Sequence, residues 1–411
     1  MKVLHVLQGY PPAMGGTEQA FGHISEELAG QFGDEVIVFT TNCYGGDAFN
    51  SPGLLRMPVG ETKVNGVRVV RFPVMSWLSW LLKVPQYLAY HLKLPFNQYL
   101  RTLYQGPIVA GLGRAIRQSD ADLVVASSFP LLHMYTALKA AKRSRKPIIF
   151  VGGLHPEDVW SFDRSMIAKA LTAADGCIAY TEYEAEQLEN VGVERGRIWT
   201  IGLGVDAETF IYADQQDAKA KLGLDKGPVV GFIGQLSAHK GIDLLLAAME
   251  DVWEVVPDAQ LLIAGARRSF AEKAEVTISG WPEAFKKRTV LHYDFKEDEK
   301  AALYAALDIF VYPSSFESFG IAFLEAWSAH KPVIGLRRGA IPWVVDDEIN
   351  GLLVKPKDAG ALGKAILSLL KDPQRADILA EKGYQKVLSQ YNWSETGKRF
   401  REAYISVLKG E

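Results

Sequence analysis

Cysteine is nearly absent from this 411-residue chain: only Cys43 and Cys177 occur, and neither has a metal-ligating neighbour at zinc spacing. That excludes a disulfide-stapled scaffold, and two reduced thiols suit the cytosol. No segment approaches the ~20 apolar residues needed to span a bilayer. Met1-Lys2-Val3-Leu4-His5-Val6-Leu7 is too short for the apolar region of a leader and reads as a first strand. A large excess of charge is missing too, and a net charge of −3 argues against a general nucleic-acid binder. No short-period repeat and no low-complexity tract interrupts the chain. Acid is absent from one long stretch: between Thr62 and Ser119 there is no Asp or Glu.

What is present describes two globular domains. Hydrophobic residues make up 48% and charged residues 23%, ordinary values for a chain long enough to fill two cores. Val/Ile-rich runs alternate with helical patterns, which predicts parallel sheets wrapped by helices. Strands are expected near Val3–Leu7, Val36–Thr40, Val67–Arg71, Leu123–Ala126, Ile148–Val151 and Cys177–Tyr180. From Asp206 to Gly227 the chain turns polar, as a connector with one surface helix would. A second series follows at Val229–Ile233, Leu261–Ala264, Val290–Tyr293, Ile309–Tyr312 and Val333–Leu336. The fold class is therefore α/β: two doubly wound, Rossmann-like domains, residues 1–203 and 204–392, facing a cleft. Trp393 to Leu408 reads as a further amphipathic helix.

Two glutamates eight apart carry the most information, in Pro313-Ser-Ser-Phe-Glu317-Ser318-Phe319-Gly320-Ile-Ala-Phe-Leu-Glu325-Ala. Asp308-Ile-Phe-Val-Tyr312 is a short buried strand stopped by Pro313. The residues after Gly320 form a helix apolar on nearly every side, which belongs inside the protein. A carboxylate on such a helix needs hydrogen-bond donors. Glu317 precedes the helix, where free N–H groups and the positive dipole end welcome a phosphate. Two acids so placed can hold a hydroxyl-rich ligand from two sides.

This signature closely resembles that of the retaining glycosyltransferases of family 4, which have the two-domain GT-B fold. The resemblance covers nearly the whole chain and is most specific from Gly231 to Pro356, including the downstream Asn350-Gly351 and Pro356. It implies that Glu317 approaches the donor sugar, that Glu325 binds the ribose hydroxyls, and that Ser318, Phe319 and Gly320 offer N–H groups to the phosphates. It also implies that the helix from Trp393 to residue 411 packs back on the first domain. No metal and no other cofactor is expected; the chain has no Asp-x-Asp motif near these residues, and the nucleotide sugar is a co-substrate.

Other motifs fall at strand ends. Gly231-Phe-Ile-Gly234-Gln235-Leu236-Ser-Ala-His-Lys240-Gly241 leads from a strand into a helix with Ile242, Leu245, Leu246 and Met249 on one face. Glycines admit a ligand to the backbone, and Lys240 at a helix start favours phosphate. The family shows Gly-Arg-Leu-x-x-x-Lys-Gly here, so Gln235 replaces an arginine and removes a charge and a bidentate fork. Gly265 ends a strand where a flat base can lie. Arg267 and Arg268 beyond it either restore the missing charge or form a solvated turn. In the first half, Gly15-Gly16 sits in a strand-to-helix turn, with Thr17 a reasonable N-cap for a helix burying Ala20, Phe21, Ile24 and Leu28. The loop does not follow the Gly-x-Gly-x-x-Gly dinucleotide pattern, which lowers the case for a nicotinamide enzyme. By resemblance it faces donor diphosphate and acceptor, and His155 faces the donor sugar. The chain departs from the family at His330, where glycine is preferred, and at Trp343, where an acid is common.

The acid-free stretch interleaves Lys63, Arg68, Arg71, Lys83, Lys93, Arg101, Arg114 and Arg117 with Trp77, Trp80, Tyr87, Tyr90, Phe96, Tyr99 and Tyr104. Such a mixture fits an anionic bilayer surface, which would bring a cytoplasmic enzyme to the inner membrane face and a lipid-linked acceptor. Alternatively, Trp77, Trp80, Leu81 and Leu82 fill a core or a dimer contact. The expected activity is transfer of a sugar from a nucleotide-diphosphate donor to a hydroxyl of a glycan, glycoconjugate or lipid-linked acceptor, with retention and with no nucleic-acid partner. Rivals are a nucleotide-sugar epimerase or glycosyl phosphorylase on the same fold, and a binding protein without turnover.

Overall fold

The computed structural model describes residues 1–13, 15–211, 214–268 and 270–410. They form two units, Met1–Leu203 with the chain from Trp393 on, and Gly204–Asn392. Unit 1 is built on an eight-stranded sheet of β1 (Lys2–Val6), β2 (Glu35–Thr41), β3 (Gly60–Val64), β4 (Val67–Phe72), β5 (Leu123–Ser127), β6 (Ile148–Val151), β7 (Gly176–Ala179) and β8 (Ile198–Thr200). Its order is β3-β4-β2-β1-β5-β6-β7-β8, parallel throughout except for the β3–β4 hairpin. Central strands β5, β6 and β7 are buried at every position, because helices cover both faces of a parallel sheet.

Unit 2 carries β9 (Val229–Ile233), β10 (Gln260–Gly265), β11 (Thr289–Tyr293), β12 (Ile309–Tyr312), β13 (Val333–Leu336) and β14 (Leu352–Val354) in the order β11-β10-β9-β12-β13-β14, all parallel. Strand order reverses at β1 in unit 1 and between β9 and β12 in unit 2. At such switch points the loops leaving the strands' C-terminal ends part to opposite faces and open a crevice. The sequence pattern misses β3, β8 and β14. All three are edge strands; β8 and β14 have only three residues, too few to show a pattern, and β3 is largely exposed.

The C-terminal helix Trp393–Lys409 completes unit 1 by packing on α1 (Gly16–Gly30). A Cβ on Gly397 would stand 2.6 Å from the Glu27 Cβ, so the two backbones approach closely. His5 of β1, wholly buried, ties three elements together: Nδ1 lies 2.8 Å from Ser25 Oγ and Nε2 3.3 Å from Tyr404 Oη. Arg401 donates to Asp34, which also receives the N-terminal ammonium.

Between β4 and β5 lie four short helices, α2 (Ser76–Leu81), α3 (Lys83–His91), α4 (Asn97–Gln105) and α5 (Leu112–Gln118). Trp77, Trp80 and Leu81 are exposed and Leu82 is half-buried, so these side chains do not fill a core of unit 1. The reason is the opposite face of α2, where Ser76 and Ser79 turn inward and leave no room for rings.

Candidate functional site

In unit 2 the loops following β9 and β12 flank the switch point, and they are laced together. Ser315 N–H donates to the His239 carbonyl at 2.7 Å. Gly241 has φ 70°, and a Cβ there would stand 2.0 Å from the Pro313 carbonyl oxygen, so only glycine fits. A Cβ on Gly265 would likewise meet the Gly234 carbonyl oxygen at 1.7 Å, which brings the ends of β9 and β10 into backbone contact.

Lys240 and Glu317 meet in this setting. Lys240 Nζ donates to Glu317 Oε1 at 2.6 Å and lies 5.1 Å from the centre of the Tyr312 ring. Burial works against the ammonium, but the Glu317 carboxylate and Tyr312 outweigh it and hold the Lys240 pKa above its usual value. Lys240 is therefore a fixed cation at the mouth of the loops. Gly320, with φ 93°, caps the helix Ile321–Ser328, and the site arc Glu317-Ser318-Phe319-Gly320 leads into it. The Phe319 ring is buried and packs edge-on to Tyr391 at 5.4 Å.

Glu325 lies on that helix, buried at every position but Ile321. Lys300 Nζ donates to Glu325 Oε1 and Tyr304 Oη to Oε2, each at 2.8 Å. Burial lowers the Lys300 pKa, but Glu325 and Glu297 overcome it and carry it to about 12. Both carboxylate oxygens thus have a fixed donor and retain lone pairs for hydroxyls. Sequence reasoning missed Lys300 and Tyr304, which are 25 and 21 residues from Glu325; only the folded position of their helix, Lys300–Ala305, brings them in.

Of the cations left open by the sequence, Arg267 forms a surface ion pair with Glu275 at 2.9 Å, and Arg268 is exposed. Gln235 is exposed. A different guanidinium stands nearer the glutamate arc: Arg338, in the loop after β13, lies 5.6 Å from the centre of the Phe316 ring, next to Glu317. The Phe316 ring also faces His239 at 6.0 Å. The double arginine Arg337-Arg338 after a buried strand was the available signal. His330 has φ 52°, which explains the glycine preferred at that position, since a left-handed backbone strains a side chain. Trp343 is exposed.

Gly15, Gly16 and His155 belong to unit 1. Gly15, not Thr17, occupies the N-cap position, and the helix already includes Gly16 and Thr17. The Glu18 side chain decides this: a Cβ on Gly15 would stand 2.1 Å from Glu18 Oε2, so the carboxylate folds over the turn, where Gln8 Nε2 donates to Oε1 at 2.8 Å. Burial pushes the Glu18 pKa up. His155 is half-buried after β6, its ring edge-on to Phe162 at 5.7 Å. The loop that carries it is held by Glu184 of the helix Glu182–Asn190, which accepts from Leu154 and Tyr180 N–H at 2.8 Å each. Burial drives the Glu184 pKa up to about 7 despite these donors. Glu184 was not singled out from the sequence, where it sits in a helix rich in glutamate.

Comparison with known proteins bears on the family and the fold. Residues 14–209 match the model described as Glycosyltransferase Family 4, and residues 214–386 match Glycosyl transferases group 1. The chain is 28% identical over 286 residues to a D-inositol 3-phosphate glycosyltransferase of Segniliparus rotundus, covering 68% of this chain and 62% of that protein. It is 35% identical over 202 residues to one from a Mycobacterium species, covering 48% and 45%. The matches thus take in less than two thirds of these relatives. Among solved structures, Anabaena HepE in complex with UDP and glucose superposes with TM-score 0.75 at 17% identity, covering 99% of this chain and 100% of that one. Sucrose-phosphate synthase from Thermosynechococcus elongatus superposes with TM-score 0.74 at 22% identity, over 100% of both. Consecutive family models over both units, and two parallel-sheet domains of GT-B type, show that this chain belongs to family 4 of the glycosyltransferases.

Proposed function

We propose that the chain is a retaining hexosyltransferase that moves a sugar from a nucleotide-diphosphate donor to a hydroxyl of a glycan, glycoconjugate or lipid-linked acceptor. The observation that carries this reading is the arrangement around the unit 2 switch point: Lys240 fixed on Glu317, and Glu325 held by Lys300 and Tyr304. Glu325 accepts the ribose hydroxyls. Ser318, Phe319 and Gly320 present N–H groups to the phosphates at the start of a helix. Lys240, with Arg338 in place of the charge that Gln235 lacks, stabilises the departing diphosphate electrostatically, without a metal ion. Glu317 holds the donor sugar; His155 and the Gly15-Gly16 loop take the sugar and acceptor roles that family resemblance assigns. In the reaction the bond from the anomeric carbon to the diphosphate oxygen breaks. The acceptor oxygen bonds to the same face of that carbon, and its proton passes to the leaving phosphate.

Calorimetric titration of UDP, GDP and ADP into wild type and Glu325→Ala tests the site, with UDP first because HepE was solved with it. One nucleotide should bind, at least about tenfold more weakly to the variant, the loss of hydrogen bonds to a charged group. Proton NMR of the product should then show the donor's anomeric configuration, with turnover unchanged by a chelator. Conversion of donor without acceptor would assign an epimerase, and a requirement for inorganic phosphate a phosphorylase. Absence of binding by all three nucleotides would leave a binding protein without turnover.

A further inference from the structure

Helices α2, α3 and α4 are amphipathic the wrong way round for a surface layer. On α2, Ser76 and Ser79 are buried while Trp77, Trp80 and Leu81 are each more than half exposed. On α3, Gln86 and Ala89 turn inward, and Val84, Tyr87 and Leu88 face out at the i, i+3, i+4 spacing of one helix face. On α4 the buried residues are Arg101 and Thr102; Tyr99, with Phe96 before the helix and Leu92 after α3, lies outside. Folding in water alone selects against nine large apolar side chains on one exposed layer. Among the described residues no helix is long and apolar enough to cross a membrane, so a surface of this kind lies on a bilayer rather than in it.

Charge selects the bilayer over an apolar protein partner. The layer has no carboxylate of its own, and Lys83 and Lys93 are exposed on it. Beneath the α3–α4 end is a cavity of about 460 Å³ lined by His91, Lys93, Arg101, Asp163 and Arg164 among others. Both arginines are nearly fully buried. Their hydrogen bonds go to neutral acceptors: the Trp160 and Asp163 carbonyls, Thr102 Oγ1 and Gln105 Oε1. Nε of each has no partner. Burial and the neighbouring Arg101 lower the Arg164 pKa to about 10, so the two guanidinium charges repel each other. Asp163 is the single acid lining the cavity, against Lys93 and the two arginines. An anion at the mouth of such a pocket meets a focused positive potential.

We propose that α2–α4 form a docking surface for an anionic bilayer, with the exposed rings in the headgroup layer and the phosphate of an anionic lipid at the Arg101–Arg164 cavity. Co-flotation of the full chain with phosphatidylcholine vesicles, with and without phosphatidylglycerol, tests this without any nucleotide and so stands apart from the transferase reading. The chain should float with anionic vesicles at low salt, weakly with neutral ones, and be released by high salt. Trp77→Ser with Trp80→Ser should lower partitioning by at least about tenfold, and Lys93→Ala by about fivefold. Both variants should keep the wild-type Tm, since the residues are exposed, and Trp77→Phe should retain binding. No flotation with anionic vesicles, or flotation indifferent to these changes, overturns the proposal. So does a lipid-free dimer that the tryptophan variants dissociate, because the face then belongs to a second copy. Calorimetric binding of glycerol phosphate without flotation would assign the cavity to a soluble phosphate and overturn the lipid as its source.

Discussion

At the scale of single residues, the site depends on side chains that position others. Lys300 and Tyr304 aim Glu325, so Tyr304→Phe should weaken nucleotide binding by about tenfold, the value of a hydrogen bond to a charged group. The loss should appear in KM and in the nucleotide Kd, with kcat little changed, because the ribose contact proposed for Glu325 would be the same in ground and transition states. A kcat-only effect would remove Glu325 from the ribose. Arg338 makes a sharper prediction. If its guanidinium serves the diphosphate, Arg338→Ala should weaken nucleoside diphosphate binding by about tenfold and leave nucleoside binding unchanged. Gln235→Arg should then recover part of the loss. Equal weakening of nucleoside and diphosphate would assign Arg338 to the stacking of Phe316 only. The glutamate pair and Lys240 could be read from spacing because all three lie in short motifs that follow a strand. Lys300, Tyr304 and Arg338 could not, since the first two share the helix Lys300–Ala305 before β12 and the third lies in the loop after β13, so that only the folded sheet brings them to the glutamates.

Among the elements, the helix Ile321–Ser328 carries Glu325, and its placement depends on a glycine. A Cβ on Gly383 of the helix Pro373–Gln390 would fall 2.1 Å from the Trp327 ring, whose Nε1 donates to the Asn350 carbonyl at 2.9 Å. Gly383→Ala should therefore destabilise unit 2 by roughly 1–3 kcal/mol, the cost of overpacking a filled core. Unfolding monitored by tryptophan fluorescence and calorimetry checks this, and an unchanged Tm would mean that the two helices can slide apart. The loop elements behave differently. The Gly15 turn is set by Glu18 folding over it, which no spacing rule anticipates; the sequence pointed to Thr17 as the cap because threonine is a good cap in general.

For the whole molecule, the response to mild acid centres on two buried histidines and a buried glutamate of unit 1. Burial lowers the pKa of His5 to about 3 and of His133 to about 4. Both must charge on unfolding below their ordinary pKa of ~6.5, so the unfolded chain binds more protons and stability falls as pH drops from 6.5 toward 4. Glu184 works the other way. Burial raises it to about 7, so between its ordinary ~4.3 and 7 the folded state binds the extra proton and stability rises as pH falls. Unit 1 should accordingly resist mild acid better than its histidines alone allow, and Glu184→Gln should steepen its loss of stability between pH 7 and 5. Hydrogen exchange of β1, β5 and β6 as a function of pH gives the slope; an identical slope in the variant would place the Glu184 titration outside this window. Deleting residues 393–411 should remove the buried Phe400 and Tyr404, and with Tyr404 a partner of His5, and uncover the face of α1 they pack on, destabilising unit 1 while unit 2 keeps its own transition.

The amino-acid sequence by itself determined the alternation of buried strands and amphipathic helices, the change of texture after Gly202, and the strand-end motifs that identify the family. These follow from local spacing: a parallel strand buried on both faces is a continuous apolar run, and a phosphate-binding turn needs glycine at a fixed offset. Tertiary structure alone decided which distant side chains orient Glu325, which arginine stands beside the glutamate arc, and which way the tryptophans of α2 point. Periodicity shows that a helix has two faces, whereas what packs against it decides which face is turned to water.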